Sequence, residues 1–415
     1  MTSTSTSRAV VDTDGNRVGA DTGLKQRVHA RLLAVPSLDE LAGPGREPRV
    51  RAQLAELLRD EEPLLPGARF TRLLDELTHE VAGLGPLEPL LADPTVTEVM
   101  VNGPGRAFVE RAGRVEPVRL DLDAPGIVRL VERVVAPLGL RLDRSSPLVD
   151  ARLPDGSRLH AVIPPLAVDG PCVTIRRFAA RPVVLEAFAP GEACAAFLRW
   201  SVAAGWNLVV SGGTSAGKTT LLNALSAAVP AHERIVTIEE TAELRLAQPH
   251  VVRLEARPPN AEGAGGVSVR ELVRASLRMR PDRIVVGEVR GAEALDMLQA
   301  LNTGHEGSLS TVHANGASDA LARLETLALL AATGLPLDAV RAQLGAAVDA
   351  VVHVARRANG LRRIETVGEL VRSADGPSVR ELFRWRAGHL EPVARPEHGP
   401  RRPDTAAPDP EWFTC

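Results

Sequence analysis

The chain has 415 residues, 44% of them hydrophobic, enough to fill two domain cores and leave tails. A formal charge of -3, aromatics at 3% and no tyrosine give no reason to expect nucleic acid as the main partner. Cys172, Cys194 and Cys415 have no metal-ligand spacing and are too few for a disulfide scaffold, and no run of 18 apolar residues offers a membrane span. The opening MTSTSTSRAVVDTDGN is polar and lacks an apolar signal core, so the expected location is the cytoplasm.

In chain order, residues 1–24 are rich in Ser, Thr, Asp and Gly and are predicted to be a disordered tail. Residues 25–69 carry apolar residues at three- and four-residue spacing in KQRVHARLLAV and RAQLAELLRDE, which predicts a helical extension. From Phe70 an amphipathic helix leads into VTEVMVNGPGRAFVERAGRVEPV, an alternating pattern broken at turns, as in a β-meander. A helix is predicted near 125–138. Two strands then flank Asp155-Gly156, a strong hairpin turn, and CVTIRRF is one more strand. Together, 70–178 reads as a small α+β domain. Residues 179–192 hold two prolines and a glycine and read as a linker.

From 193 to 390 the pattern becomes α/β. Apolar strands NLVVSG, RIVTIEE, RIVVGEV and GSLSTVHA alternate with helices at 218–228, 268–279, 291–303 and 317–331, predicting a mostly parallel sheet covered on both faces. Residues 391–415 turn proline-rich and charged and are predicted to be a second disordered tail.

The chain contains only two lysines, Lys25 and Lys218, and the second lies in SGGTSAGKTT. Gly212 to Thr219 fits G-x-x-x-x-G-K-[ST] between a strand and a helix, a match expected by chance on the order of 10⁻³ per chain. Gly212, Gly213, Thr214, Ser215, Ala216, Gly217, Lys218, Thr219 and Thr220 are therefore the predicted nucleotide-phosphate cradle. Backbone amides and the helix N-terminus face the phosphates, a compact ammonium reaches between them, and the Thr219 hydroxyl can sit on Mg²⁺. Arginine is too broad a fork for that place.

Glu239, Glu240 and Glu288 end apolar strands. In an open parallel sheet, carboxyl ends of strands line the ligand crevice. One acid can hold Mg²⁺ and one can orient the attacking water. A base-reading Asn-Lys-x-Asp is absent, which favours ATP over GTP. His305 and His313 bracket a Gly/Ser/Thr-rich strand, and imidazole N–H groups suit contact with a γ-phosphate.

The ordered set GGTSAGKTT, TIEETAEL, LRMRPDRIVVGEVRG and TGHEGSLSTVHAN resembles the Walker A, acidic box, Walker B and histidine box of the type II/IV secretion ATPase superfamily. GLGPLEPLLADPTVTEVMVNGPGRAFVERAG and DARLPDGSRLHAVIPPLAVDG resemble its Tad/Cpa pilus-assembly and conjugal-transfer branch, and the likeness covers about 65–372. The resemblance implies a RecA-like P-loop ATPase domain behind a smaller amino-terminal α+β domain. It also implies a ring, usually hexameric, at the inner face of the membrane, working against a polytopic membrane platform protein with no direct nucleic acid. On it, Glu239 is the catalytic acid-box glutamate, Glu288 the Walker B glutamate, and His305 and His313 the histidine box. Thr219, Glu239 and Glu288 are the metal-side groups. Arg158 and Arg176 are the arginines sent to the phosphates from the amino-terminal domain. The box reads Glu-Glu where the family usually has Glu-Asp, at Glu240. Two alternatives remain from other classes: a RecA-like nucleic-acid motor, which single-stranded DNA would stimulate, and a nucleotide-gated scaffold without turnover, for which two acids are unnecessary.

Overall fold

The structure is a computed structural model and describes residues 13–34, 46–177, 183–259, 263–331, 334–357, 359–373 and 376–414. Two compact units emerge. One gathers the chain up to Arg111 with Val115–Ala151 and Leu159–Arg177, and the other gathers Ala112–Arg114, Arg152–Arg158 and the chain from Phe178 onward.

In the first unit, helices α1 (Thr13–Leu33), α2 (Arg46–Glu61) and α3 (Gly67–Ala82) enclose Leu24, Val28, Leu32, Leu54, Leu58, Leu73 and Leu77. These residues recur every three or four positions, so each helix presents one apolar stripe to the others. Two expectations are corrected here. Helix begins at Thr13, inside the expected tail of 1–24, while residues 1–12 lie outside the described residues. The expected boundary at residue 69/70 cuts α3, whose Leu73 and Leu77 pack with the helical extension. After α4 (Glu88–Ala92) come β1 (Val96–Asn102), β2 (Ala107–Arg111), β3 (Arg114–Val118), α5 (Ala124–Val135), β4 (Leu148–Arg152), β5 (Arg158–Val162) and β6 (Cys172–Arg176). They form a sheet of order β3-β2-β1-β6-β5-β4, with β1 antiparallel to both neighbours. Helix α5 starts where the Asp123 carboxylate accepts the Gly126 N–H at 2.7 Å, with proline in its first turn.

The second unit holds α6 (Glu192–Ala203), β7 (Leu208–Gly212), α7 (Lys218–Ser226), β8 (Ile235–Glu239), β9 (Val251–Glu255), α8 (Val269–Ser276), β10 (Arg283–Val289), α9 (Glu293–Leu301), β11 (Leu309–His313), α10 (Ala317–Leu329), α11 (Leu337–Ala347), β12 (Ala350–Arg356), β13 (Arg362–Ser373), β14 (Gly376–Arg386) and β15 (His389–Pro392). The sheet order is β15-β14-β13-β12-β7-β11-β10-β8-β9, parallel from β12 to β9 and antiparallel beyond β12. Strand β7 is buried throughout. Leu208 and Val210 enter one core with Phe197, Trp206, Leu221 and Phe383, while Val209 enters the other with Ile284, Leu298, Leu324 and Leu344. A strand apolar at successive positions is what a sheet covered on both faces requires.

The segment expected as linker contributes Leu185, Phe188 and Ala189 to the first of these cores, and residues 178–182 lie outside the described residues. The expected disordered tail 391–415 is also corrected. Trp206 Nε1 donates to Gly399 O at 2.9 Å and Trp200 Nε1 to Ala406 O at 2.8 Å. Arg401 grips both oxygens of Asp349 at 2.7 and 2.9 Å, Arg402 pairs with Glu233, and the Phe413 ring packs 5.5 Å from Phe197 and 5.4 Å from Phe383. Charge and proline mark a loose segment only when the charges lack partners. Here the partners are buried carboxylates far away in sequence.

Candidate nucleotide site

Because β7, β8, β10 and β11 run parallel, their carboxyl ends meet at one edge of the sheet. The loop after β7 turns through Ser215, at φ 56°, and Gly217, at φ 96°, before α7 starts at Lys218. At Gly217 the left-handed backbone, with the Arg362 and Phe188 side chains 3.0 and 3.2 Å from where a Cβ would be, leaves room for glycine alone. Lys218 is 7% exposed, and its ammonium donates to Gly213 O at 3.0 Å and to His313 Nε2 at 3.1 Å. The register pairs His313 with Gly212, which sets the imidazole beside the mouth of the loop.

Glu288 Oε1 is 2.9 Å from the same His313 nitrogen. Its two oxygens also take a bidentate fork from Arg290, at 2.6 and 3.0 Å. Burial pushes the Glu288 carboxyl up, but the hydrogen bonds and charge of Arg290, with His313 and Lys218 behind them, leave it net below the ordinary range. Burial and the Lys218 charge hold His313 below its ordinary value, against the pull of Glu288.

Glu239 closes β8 at 3% exposure. Its Oε1 accepts the amides of Glu243 at 2.8 Å and Leu244 at 2.9 Å, and Oε2 has no hydrogen-bond partner among the described residues. Burial outweighs the two amides and pushes its carboxyl up to about 7. Gly287 on the adjacent strand makes this possible, since a Cβ there would stand 2.6 Å from Glu239 Cγ. Glu240, next along the chain, is exposed and accepts Arg290 Nη1 at 2.7 Å.

These groups fit a phosphate chain carrying a hard divalent cation. Thr219 lies in the first turn of α7, and Glu239 presents an orphaned buried oxygen. Mg²⁺ is held in this manner, by few protein ligands together with phosphates and water.

Residues 80–377 match the family described as type II/IV secretion system protein. The chain belongs to this family. A Mycobacterium tuberculosis protein named for conjugal transfer is 44% identical over 322 residues, 75% of this chain and 90% of the relative. Conjugal transfer protein TrbB of Rhizobium radiobacter is 36% identical over 285 residues, 67% of this chain and 84% of TrbB. Type IV secretion system protein PtlH of Bordetella pertussis is 39% identical over 315 residues, 67% of this chain and 91% of PtlH. Among solved structures, the Legionella pneumophila ATPase DotB superposes with a TM-score of 0.50 at 18% identity, over 70% of this chain and 80% of DotB, a likeness that shows the fold. The fold class is accordingly a RecA-like α/β domain with a smaller amino-terminal one.

In this type II/IV secretion family member the remaining expected residues separate. His305 lies before β11, at the end of the strand opposite His313, where its Nδ1 meets Ala300 O at 3.0 Å. The strand separates the two histidines, so His313 joins Lys218 and Glu288 while His305 does not. Arg158, at the start of β5, donates to Glu243 at 2.9 Å and Thr241 at 2.8 Å. Arg176 is exposed at the end of β6 in the first unit.

Sequence reasoning missed three contributors. Arg290 stands in GEVRG, where its spacing alone assigns it no partner. Arg362 donates to Ser215 O at 3.1 Å, bracing the strained residue of the loop. Ser211 Oγ and His353 Nδ1 share a hydrogen bond of 3.0 Å beneath the loop. Burial lowers His353, with the charges of Glu365 and Asp319 opposing.

Proposed function

We propose that this chain is an ATP-hydrolysing motor for assembly of a Tad-like pilus or a type II/IV secretion system associated with conjugal transfer. The observation that carries the proposal is the convergence of the phosphate loop, Lys218, Glu239, Glu288 and His313 at one sheet edge. Loop amides and the α7 terminus cradle the β- and γ-phosphates, and Lys218 exchanges Gly213 O and His313 for phosphate oxygens. Mg²⁺, when bound, neutralises phosphate charge, and Thr219, Glu239 and Glu288 would hold it. Glu239 offers its unpartnered Oε2 to the attacking water. Glu288 stays ionised and orients groups around the γ-phosphate, and His313 contacts the phosphate that leaves. Two carboxylates of opposite tuning divide base and charge-holding roles.

The relatives' names for conjugal transfer and type IV secretion support the choice of machine. In this reading the chain works as a homo-hexameric ring at the cytoplasmic face of the membrane, against a polytopic platform protein. No helix among the described residues is long and apolar enough to cross the membrane itself. Arg158 and Arg176 supply positive charge to the nucleotide when the domains close.

The test pairs two variants of the full chain. Lys218→Ala should lose ATP binding and hydrolysis together. Glu288→Gln should still bind ATP in calorimetry while phosphate release falls by roughly 10² or more. Wild-type turnover by Lys218→Ala ends the proposal, and a parallel fall of binding and turnover in Glu288→Gln makes Glu288 structural.

A further inference from the structure

The acid box of this chain reads Glu239-Glu240, and the structure gives the reach of the second glutamate a use. Arg290 is fixed at its root, where its own N–H and that of Gly291 both donate to Glu293 Oε1, at 2.7 and 2.8 Å. It is fixed at its head by two carboxylates. Nε and Nη2 form the fork on Glu288, and the outward Nη1 reaches Glu240 Oε2 at 2.7 Å. Strands β8 and β10 are parallel neighbours with Ile238 opposite Val286, so Glu240 leaves the sheet level with Glu288 and Arg290 follows two residues on. An aspartate at 240 would end about 1.5 Å short, beyond hydrogen-bond range.

Resting on the ATPase reading above, we propose that Arg290 is a positioning residue that holds Glu288 in its working orientation, and that Glu240 holds Arg290 through the reach of a glutamate. Side-chain exposure sets the expectation: Arg290 is 54% and Glu240 59% exposed, against 23% for Glu288. Pairs this exposed contribute little to folding. Their effect is geometric, one guanidinium plane shared by two carboxylates, which a lysine's single point charge cannot reproduce. The Arg290 fork takes both oxygens of Glu288, so the carboxylate plane follows the guanidinium plane.

The experiment uses the full-length protein and the variants Glu240→Asp, Arg290→Lys and the double variant. It measures kcat and KM for MgATP, calorimetric affinity for a non-hydrolysable ATP analogue, and thermal midpoints. Each single variant should lose kcat by roughly ten- to a hundredfold, since a misplacement of about 1 Å is that costly. KM and analogue affinity should stay within roughly threefold and the thermal midpoint should be unchanged. The double variant should be no slower than Arg290→Lys, because both changes cut one linkage. Wild-type kcat in Glu240→Asp, additive losses in the double variant, or affinity falling in step with kcat would each overturn the proposal. Wild-type turnover by Lys218→Ala would instead remove the ATPase reading, so the two failures are distinguishable.

Discussion

The ammonium of Lys218 lies 3.1 Å from His313 Nε2, and that nitrogen lies 2.9 Å from Glu288 Oε1. One ring nitrogen cannot accept from the lysine and donate to the carboxylate at once. While Lys218 points at it, Nε2 is the acceptor, and Glu288 is satisfied by Arg290. Drawing Lys218 onto a phosphate frees Nε2 to carry a proton and donate to Glu288 or to the γ-phosphate. His313→Asn should therefore bind ATP within roughly threefold of wild type yet turn over roughly 10²-fold more slowly, as for loss of a positioned proton donor. Single-turnover kinetics beside equilibrium binding would check it, and equal losses in both would assign His313 to ground-state binding.

Glu239 predicts a pH dependence with a definite sign. Its folded value, about 7, is above the unfolded 4.5, so the folded state binds the extra proton between them. The associated stability is fully present below about 4.5 and is lost as pH rises through about 7, a difference of about 3 kcal/mol. Calorimetry of nucleotide-free protein should show wild type losing stability relative to Glu239→Gln over that window. In the same window kcat/KM should rise, because the ionised form is the base. A flat stability difference between the two proteins would show that Glu239 is ionised throughout.

The carboxy-terminal strap gives a stability prediction with an internal ranking. Asp349 receives Arg401 on both oxygens and the Asn207 amide at 2.7 Å, so Arg401→Ala leaves a buried carboxylate without a cation. Glu233 receives Arg402 but also the fully buried Arg283 at 2.5 Å, so Arg402→Ala leaves it compensated. Arg401→Ala should cost about 3 kcal/mol and Arg402→Ala less than half of that. Thermal midpoints, read through tryptophan fluorescence, to which Trp200 and Trp206 beneath the strap contribute, decide the order. The reverse order would mean that Arg283 alone cannot hold Glu233.

How much of this was readable in the sequence depends on how far the cause lies from the residue. Lys218 and its loop were legible because the whole reason, strand, glycines, lysine and helix start, fits in a dozen positions. Glu239 and Glu288 were legible as strand-end acids, although their opposite tuning depends on Gly287 and Arg290, which require knowing that β8 and β10 are neighbours. Arg362 and His353 were not legible. They reach the loop from 147 and 142 positions away, on strands whose own patterns carry no chemical motif. The strap was misread for the same reason, since Arg402 and Glu233 are 169 positions apart. Composition reports local preference, and burial of distant carboxylates overrode it.

The same strap determines which fragment can test domain closure. Both cores of the second unit are built from residues 185 onward, and one includes Leu390 and packs Trp412 and Phe413 against it. A fragment of residues 183–415 should therefore fold and bind ATP, whereas one ending at 390 should be unstable. The first fragment lacks Arg158 and Arg176. If those arginines bring charge to the γ-phosphate, it should hydrolyse ATP at least roughly 10³-fold more slowly than the full chain, the scale of a missing arginine finger. Arg158 is held by Glu243 and Thr241 in the structure, two hydrogen bonds that it would have to give up to serve the nucleotide. In the full chain, Arg158→Ala should lower kcat while leaving ATP affinity in place, and Arg158→Ala with Arg176→Ala should approach the fragment's rate. Phosphate release from the fragment, the two variants and the wild-type chain at saturating MgATP measures this. A fragment as fast as the full chain would show that residues 183–415 are catalytically complete, and would leave the arginines with structural work alone.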